Sequence, residues 1–321
     1  MVPEADFTSY YGRSVVKASP WEADIPAYLF LGGLAAGSAL LGAGAAATGR
    51  DGLRRPARIT ALLGIGASFA VLVHDLGRPA RFVNMLRVAK PTSPMSMGTW
   101  ILTGFGPAAG VAGGAELLAM LPDRWLPGPL RSHGALGLLL ARAAVPAGLA
   151  AAVAAPAVAS YTAVLLSDTA TPAWHEAYRE LPFVFVGSAA AASGGLAMAL
   201  APLSQSGPAH RLAVGGALLE AIAERRMERS MGLVHEALHQ GTPGRLMKAA
   251  ALLGAGGGLG ALLIGRRSRA AAAASGLALV AGSVCTRFGI FHAGQESARD
   301  PRYTVVPQRE RLDREGPTRS V

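Results

Sequence analysis

Cysteine is nearly missing from this 321-residue chain, in which Cys285 stands alone. A single thiol cannot carry an iron–sulfur cluster or a covalently attached haem, and its ordinary role is that of a small buried hydrophobe. Histidines facing one another inside apolar segments are lacking too. His74, His133, His175, His210 and His292 fall at the ends of apolar runs or between them, which disfavours a haem held by two imidazoles. Charge is scarce, at 16% of residues against 51% hydrophobic, and the mean hydropathy is +0.35. This balance sets aside one or two ordinary soluble domains in favour of a bundle of membrane helices. The glycine-rich run Gly254–Gly260 has no lysine or serine to complete a phosphate loop and lies inside an apolar run, so it reads as helix packing. The first 25 residues hold Glu4, Asp6, Glu22 and Asp24 and no apolar core; no signal peptide is expected, and the first span directs insertion.

What the chain has in quantity is apolar length. Eight runs approach the ~20 residues needed to cross ~30 Å of hydrocarbon: Pro26–Thr48, Pro56–Val73, Met97–Leu121, Gly134–Ala155, Leu181–Leu203, His210–Ala223, Leu246–Ile264 and Ala270–Phe288. The sixth is short and carries Glu220, which makes it the least span-like. The expected fold is an all-α integral membrane protein of about eight transmembrane helices. A polar segment covers residues 1–25, the helical domain 26–288 and a basic tail 289–321. The polar gap Ser167–Glu180 divides the helical domain into halves 26–166 and 181–288, each a four-helix bundle. Small residues four apart, as in Gly33–Gly37, Gly106–Gly110 and Gly256–Gly260, let helix backbones approach closely in lipid. The formal charge of +10 sits mainly in short loops and in the tail Arg299–Arg319. That is the pattern of membrane topology in a lipid bilayer, not of a nucleic-acid partner, and the tail favours cytoplasmic termini.

Polar chemistry is concentrated in V-H-D-L-G-R-P-A-R-F-V-N-M-L-R-V-A-K-P-T-S-P-M-S-M-G-T-W, residues Val73–Trp100, between the second and third runs. Ionisable groups are expensive beside hydrocarbon, so a dense loop pressed against two spans reads as a site. His74 and Asp75 end the second span and Gly77 suits its C-terminal cap. Pro79 then opens a short interfacial helix on which Arg81, Phe82, Met85 and Leu86 share helical spacing. Ser96 is the expected N-cap of the third span, with Trp100 at interfacial depth. Antiparallel threading brings Trp21, Tyr28 and Tyr161 to the same side.

Two further features call for a role. Glu116 and Arg142 fall at similar depth on the third and fourth spans, as an ion pair or a proton path. His235-Glu236-Ala237-Leu238-His239 is a literal H-E-x-x-H; on a helix it would place two imidazoles on one face, as in a zinc metalloprotease. No third ligand accompanies it, and an amphipathic surface helix ended by Gly241-Thr242-Pro243-Gly244 is the plainer expectation, so no metal site is assigned. A membrane transporter of two four-helix halves is the remaining alternative.

Three blocks carry a resemblance. P-W-E-A-D-I-P-A-Y-L-F-L-G-G-L-A-A-G at Pro20–Gly37, H-D-L-G-R-P-A-R-F at His74–Phe82 and P-T-S-P-M-S-M-G-T-W at Pro91–Trp100 occur in that order. Together with the eight spans they resemble the NrfD / polysulfide reductase membrane-subunit family. The resemblance implies a quinone-reactive subunit of a multisubunit oxidoreductase in the bacterial inner membrane, with no haem, metal or iron–sulfur cluster of its own and no catalysis alone. It implies a four-cluster ferredoxin-like iron–sulfur partner, linked to a molybdopterin oxidoreductase, and menaquinone or ubiquinone as the exchangeable substrate. Within that frame His74 would donate or shuttle a proton, Asp75 would orient or relay, and Arg78 would stabilise developing negative charge. Tyr28, Trp100 and Tyr161 would supply ring contacts or a phenolic donor. Members often carry a histidine in the first span; this span has none, and Tyr28 stands as its substitute.

Overall fold

A computed structural model describes residues 13–78 and 80–315. Every regular element among the described residues is helical. In chain order they are α1 (Asp24–Ala47), α2 (Asp51–Asp75), α3 (Arg81–Met85), α4 (Pro94–Met120), α5 (Ala135–Ser167), α6 (Pro172–His175), α7 (Leu181–Leu200), α8 (Gly207–Ser230), α9 (Gly241–Leu263), α10 (Arg269–Arg299) and α11 (Arg302–Glu315), with short 3-10 turns between some of them. Seven, namely α1, α2, α4, α5, α7, α9 and α10, are long and apolar enough to cross a membrane. The eighth expected span is α8, whose 24 residues at ~1.5 Å each would cover the distance. Glu220, Glu224 and the charged turn after them keep it below the apolarity of the other seven.

Several helices outrun the apolar pattern. α5 continues through Pro146 and Pro156 to Ser167, and α10 continues past Phe288 to Arg299. Proline is tolerated there because neighbouring helices re-satisfy the backbone. α1 and α2 form a tight hairpin whose turn needs a left-handed residue, and Gly49 supplies it at φ 66°. α1 also packs on α5 and α7, α4 on α5 and α2, and α10 on α7 and α9. Small residues make the closest approaches. A methyl on Gly37 would fall on the Ser193 side chain of α7, and one on Gly216 of α8 would come within 2.4 Å of the Ala191 backbone nitrogen of α7. Gly110 and Gly256, by contrast, face open space. Pro79, the Phe82 side chain, residues 1–12 and 316–321 lie outside what is described, and with them the proposed opening of the interfacial helix by Pro79.

Candidate functional site

The α1/α2 hairpin fixes the first contact of the site. Asp24 and His74 stand equally far on either side of Gly49, so antiparallel pairing brings them to the same membrane face. There the Nδ1–H of His74 donates to Oδ2 of Asp24 at 2.5 Å. The imidazole is 81% exposed, so this pair stands in the water-facing rim. Sequence reading missed Asp24, although the hairpin symmetry about Gly49 was there to find it.

Asp75 turns the other way. It joins Trp21, Tyr28, Phe69, Met95 and Tyr161, with other side chains, in lining a cavity of about 200 Å³ between α1, α2, α4 and α5. The Tyr28 and Tyr161 hydroxyls hydrogen-bond to each other in its wall. Both rings are buried, and Ser68 holds the Tyr28 carbonyl through its Oγ at 3.3 Å. Gly98 lets Tyr161 lie against α4, since a Cβ there would stand 2.4 Å from its ring. Trp21 closes one side and stacks on buried Trp174 at 5.8 Å between centroids. The amide of Gln295 on α10 fastens the same segment by donating to the Ser19 carbonyl at 3.1 Å and the Trp21 carbonyl at 3.0 Å.

The loop between α2 and α4 is pinned from below. Gly77, at φ 65°, ends α2 as its sequence position predicts, with its N–H on the His74 carbonyl at 3.0 Å. Ser93 is the N-cap of α4 in place of Ser96. Ser96 instead uses its hydroxyl to donate to the Val88 carbonyl at 2.9 Å and accept from the Lys90 N–H at 2.9 Å. Trp100 adds an indole bond to the same Val88 carbonyl at 3.2 Å. That contact leaves Trp100 42% exposed and outside the cavity lining. Arg78 is exposed and outside the lining as well, whereas Arg81, on α3, lines the cavity and donates to the Leu76 carbonyl at 3.2 Å.

A family model described as polysulphide reductase, NrfD, matches residues 14–222, about two thirds of the chain. The chain belongs to this family. A search among curated proteins returned no match. The matched region holds every element that lines the cavity, while α9, α10 and α11 lie beyond it. The family places this chain as a multi-pass membrane subunit of an oxidoreductase complex.

In this NrfD-family chain the other charged candidates fall elsewhere. Glu116 does not pair with Arg142. Its carboxylate accepts from Arg54 Nε at 2.8 Å and from Arg58 Nη1 at 3.1 Å, both on α2, while Arg142 is exposed on α5. Glu116 shares a face of α4 with Gly113, which packs on the Arg58 carbonyl and Leu62, so the carboxylate meets α2.

The H-E-x-x-H is not on an α-helix: His235 to Leu238 belong to a 3-10 turn, Gly232–Leu238, and His239 follows it. There Nδ1 of His235 bonds the Gly232 carbonyl, Glu236 pairs with Arg302 at 2.7 Å and His239 with Glu228 at 3.2 Å. Among the described residues no three His, Cys, Asp or Glu side chains are grouped to hold a metal.

Proposed function

We propose that this chain is the quinone-interacting subunit of its complex in a bacterial inner membrane. It exchanges electrons between a four-cluster ferredoxin-like iron–sulfur subunit, itself joined to a molybdopterin oxidoreductase, and exchangeable menaquinone or ubiquinone. The observation that carries this reading is the cavity: an apolar chamber at one membrane face with two phenol hydroxyls in its wall and a carboxylate at its rim. Aromatic and aliphatic walls suit a ring and the start of an isoprenoid tail, and a few convergent polar groups fix its orientation.

Reducing a quinone requires two protons per ring as well as two electrons, and the protons must travel through side chains. The Tyr28–Tyr161 pair holds one hydroxyl by means of the other, leaving a phenolic proton directed by its partner. Asp75 sits where the lining meets the rim, and its neighbour His74 reaches water in company with Asp24. This sequence of groups supports a route by which a proton passes between solvent and the chamber. Arg81, on the lining, takes the charge-stabilising place expected of Arg78.

The test uses the intact complex, assayed with a quinone analogue and separately with a dye accepting electrons upstream of this subunit. Tyr28→Phe combined with Tyr161→Phe, and Asp75→Asn alone, should each lower quinone turnover by about ten- to a thousand-fold, the range for losing a positioned acid or charge stabiliser. Dye reduction should stay normal. Arg78→Ala and Trp100→Phe should act weakly. Normal quinone turnover in the tyrosine and Asp75 variants would overturn the assignment.

A further inference from the structure

The opposite membrane face, where α8 begins and α9 ends, carries a basic recess that the quinone reading does not use. His210 lies one turn into α8 and is 2% exposed. Its Nδ1–H donates to the Ser206 carbonyl at 3.0 Å, which fixes the tautomer and leaves Nε2 as the outward nitrogen. That nitrogen is buried with no partner. It borders a recess of about 270 Å³ whose rim carries Arg211 and Arg266. Gly265 keeps it open, since a Cβ there would stand 3.1 Å from His210 Nε2.

Arg211 also borders a second groove of about 500 Å³, in which Arg50 is the other cation. None of Arg50, Arg211 and Arg266 forms a salt bridge with a carboxylate among the described residues, unlike Arg54 and Arg58 nearby on α2. Below the cations both grooves turn apolar. Leu40 and Leu41 floor one, and Val214 and Leu262 the other. Leu40 lies seven residues before the end of α1, about 10 Å deeper than the arginines at ~1.5 Å per residue. Unpaired cations at the level of the helix ends, above apolar grooves open to the bilayer, match a ligand with an anionic head and hydrocarbon tails.

The geometry points to a built site for the phosphate of an anionic phospholipid, held by Arg211, Arg266 and His210 with its acyl chains in the flanking grooves. In the bound state a proton is shared between Nε2 of His210 and a phosphate oxygen, so the lipid also satisfies the orphan nitrogen. Arg211, shared by both grooves, is the central contact.

Native mass spectrometry of the delipidated, detergent-purified complex tests this, with phosphatidylglycerol and phosphatidylcholine of identical chains as probes. One phosphatidylglycerol should be retained per copy of this chain, preferred over phosphatidylcholine by about thirtyfold, the factor expected from two interfacial arginines. The Arg211→Gln/Arg266→Gln variant should lose that preference. Arg267→Gln, which removes an exposed charge from the same loop outside the recess, should keep it. Equal retention of both lipids, or an equal loss in Arg267→Gln, would overturn the site in favour of diffuse attraction to the leaflet. A third arm adds millimolar inorganic phosphate; displacement of the lipid by phosphate alone would show a free-anion site and likewise overturn the proposal.

Discussion

Two arginines among the described residues are buried, and they are held in opposite ways. Arg58, near one membrane face, reaches the Glu116 carboxylate at 3.1 Å and shares it with Arg54. Arg287, deep in α10 and 1% exposed, forms no salt bridge within 4 Å among the described residues. Its Nη2 donates to the Phe185 carbonyl at 2.7 Å and its guanidinium lies 3.6 Å from the Phe185 ring centroid, with Nε and Nη1 unpartnered. Glu220 is within electrostatic reach but is bonded instead to the Thr286 hydroxyl at 2.8 Å. The first arginine belongs to a neutralised cluster of strong hydrogen bonds. The second rests on a carbonyl dipole and an aromatic face, which hold a cation without discharging it. A pair fails when either member is removed, whereas a lone cation is already carrying most of its desolvation penalty.

Ranked by expected effect, the variants that would break this contrast begin at Glu116. Glu116→Gln leaves the buried Arg58 without its anion and Arg54 with Asp51 alone, and thermal melting in detergent should show a loss of about 3–5 kcal/mol. Replacing the pair together, as Arg58→Met with Glu116→Leu, should cost well under half of that, because Arg54 keeps Asp51 at 2.6 Å and no buried charge is left unpaired. If the double variant is as damaged as Glu116→Gln, the cluster is not acting as an ion pair. Arg287→Met should change stability by no more than about 2 kcal/mol in either direction, since the lost ring contact is offset by relief of burial. A loss as large as that of Glu116→Gln would erase the distinction between the two sites.

The smallest effect belongs to a charge in water. Asp123, in the turn between α4 and α5, accepts from the Ser132 hydroxyl at 2.6 Å and the Ser132 N–H at 3.1 Å. Those two bonds hold its pKa below the usual carboxylate value. A depressed pKa gives stability that is present above the unfolded value and lost as pH falls through the folded one. Acid titration below the ordinary aspartate range should therefore loosen this turn in the wild type but not in Asp123→Asn, as read by amide exchange at Ser132.

Depth along the membrane normal was legible in the sequence; direction around each helix axis was much less so. Apolar length alone marked eight runs, seven of which are helices long and apolar enough to span, and counting from their ends put Tyr28, Tyr161, His74 and Asp75 at one face. Gly77 as the end of α2 was legible because a left-handed residue is demanded there. The partner of Glu116 was not, because hydrophobic patterns are nearly uniform around a helix in lipid and the small residue that aims it, Gly113, gives no signal of its own. The direction of Trp100 was hidden for a related reason. Interfacial tryptophans suit a belt as well as a site, and the sequence did not give the bond to the Val88 carbonyl that holds this one outside the cavity lining. The helix α8 stayed marginal in the sequence because it carries Glu220, which is buried and bonded to Thr286 of α10, information that no window of hydropathy contains.

The tie from Gln295 to the Trp21 carbonyl spans 274 positions of chain, and it sets an order of events in time. At ~5–20 residues per second a ribosome needs roughly a quarter of a minute to a minute to make that interval. α5 is complete a little past the middle of that interval, and from then on α1, α2, α4 and α5 have all been made while the segment bearing Trp21 still lacks its amide anchor. The nascent protein therefore carries an unfinished chamber, open along one wall to lipid, until its last long helix arrives to shut it.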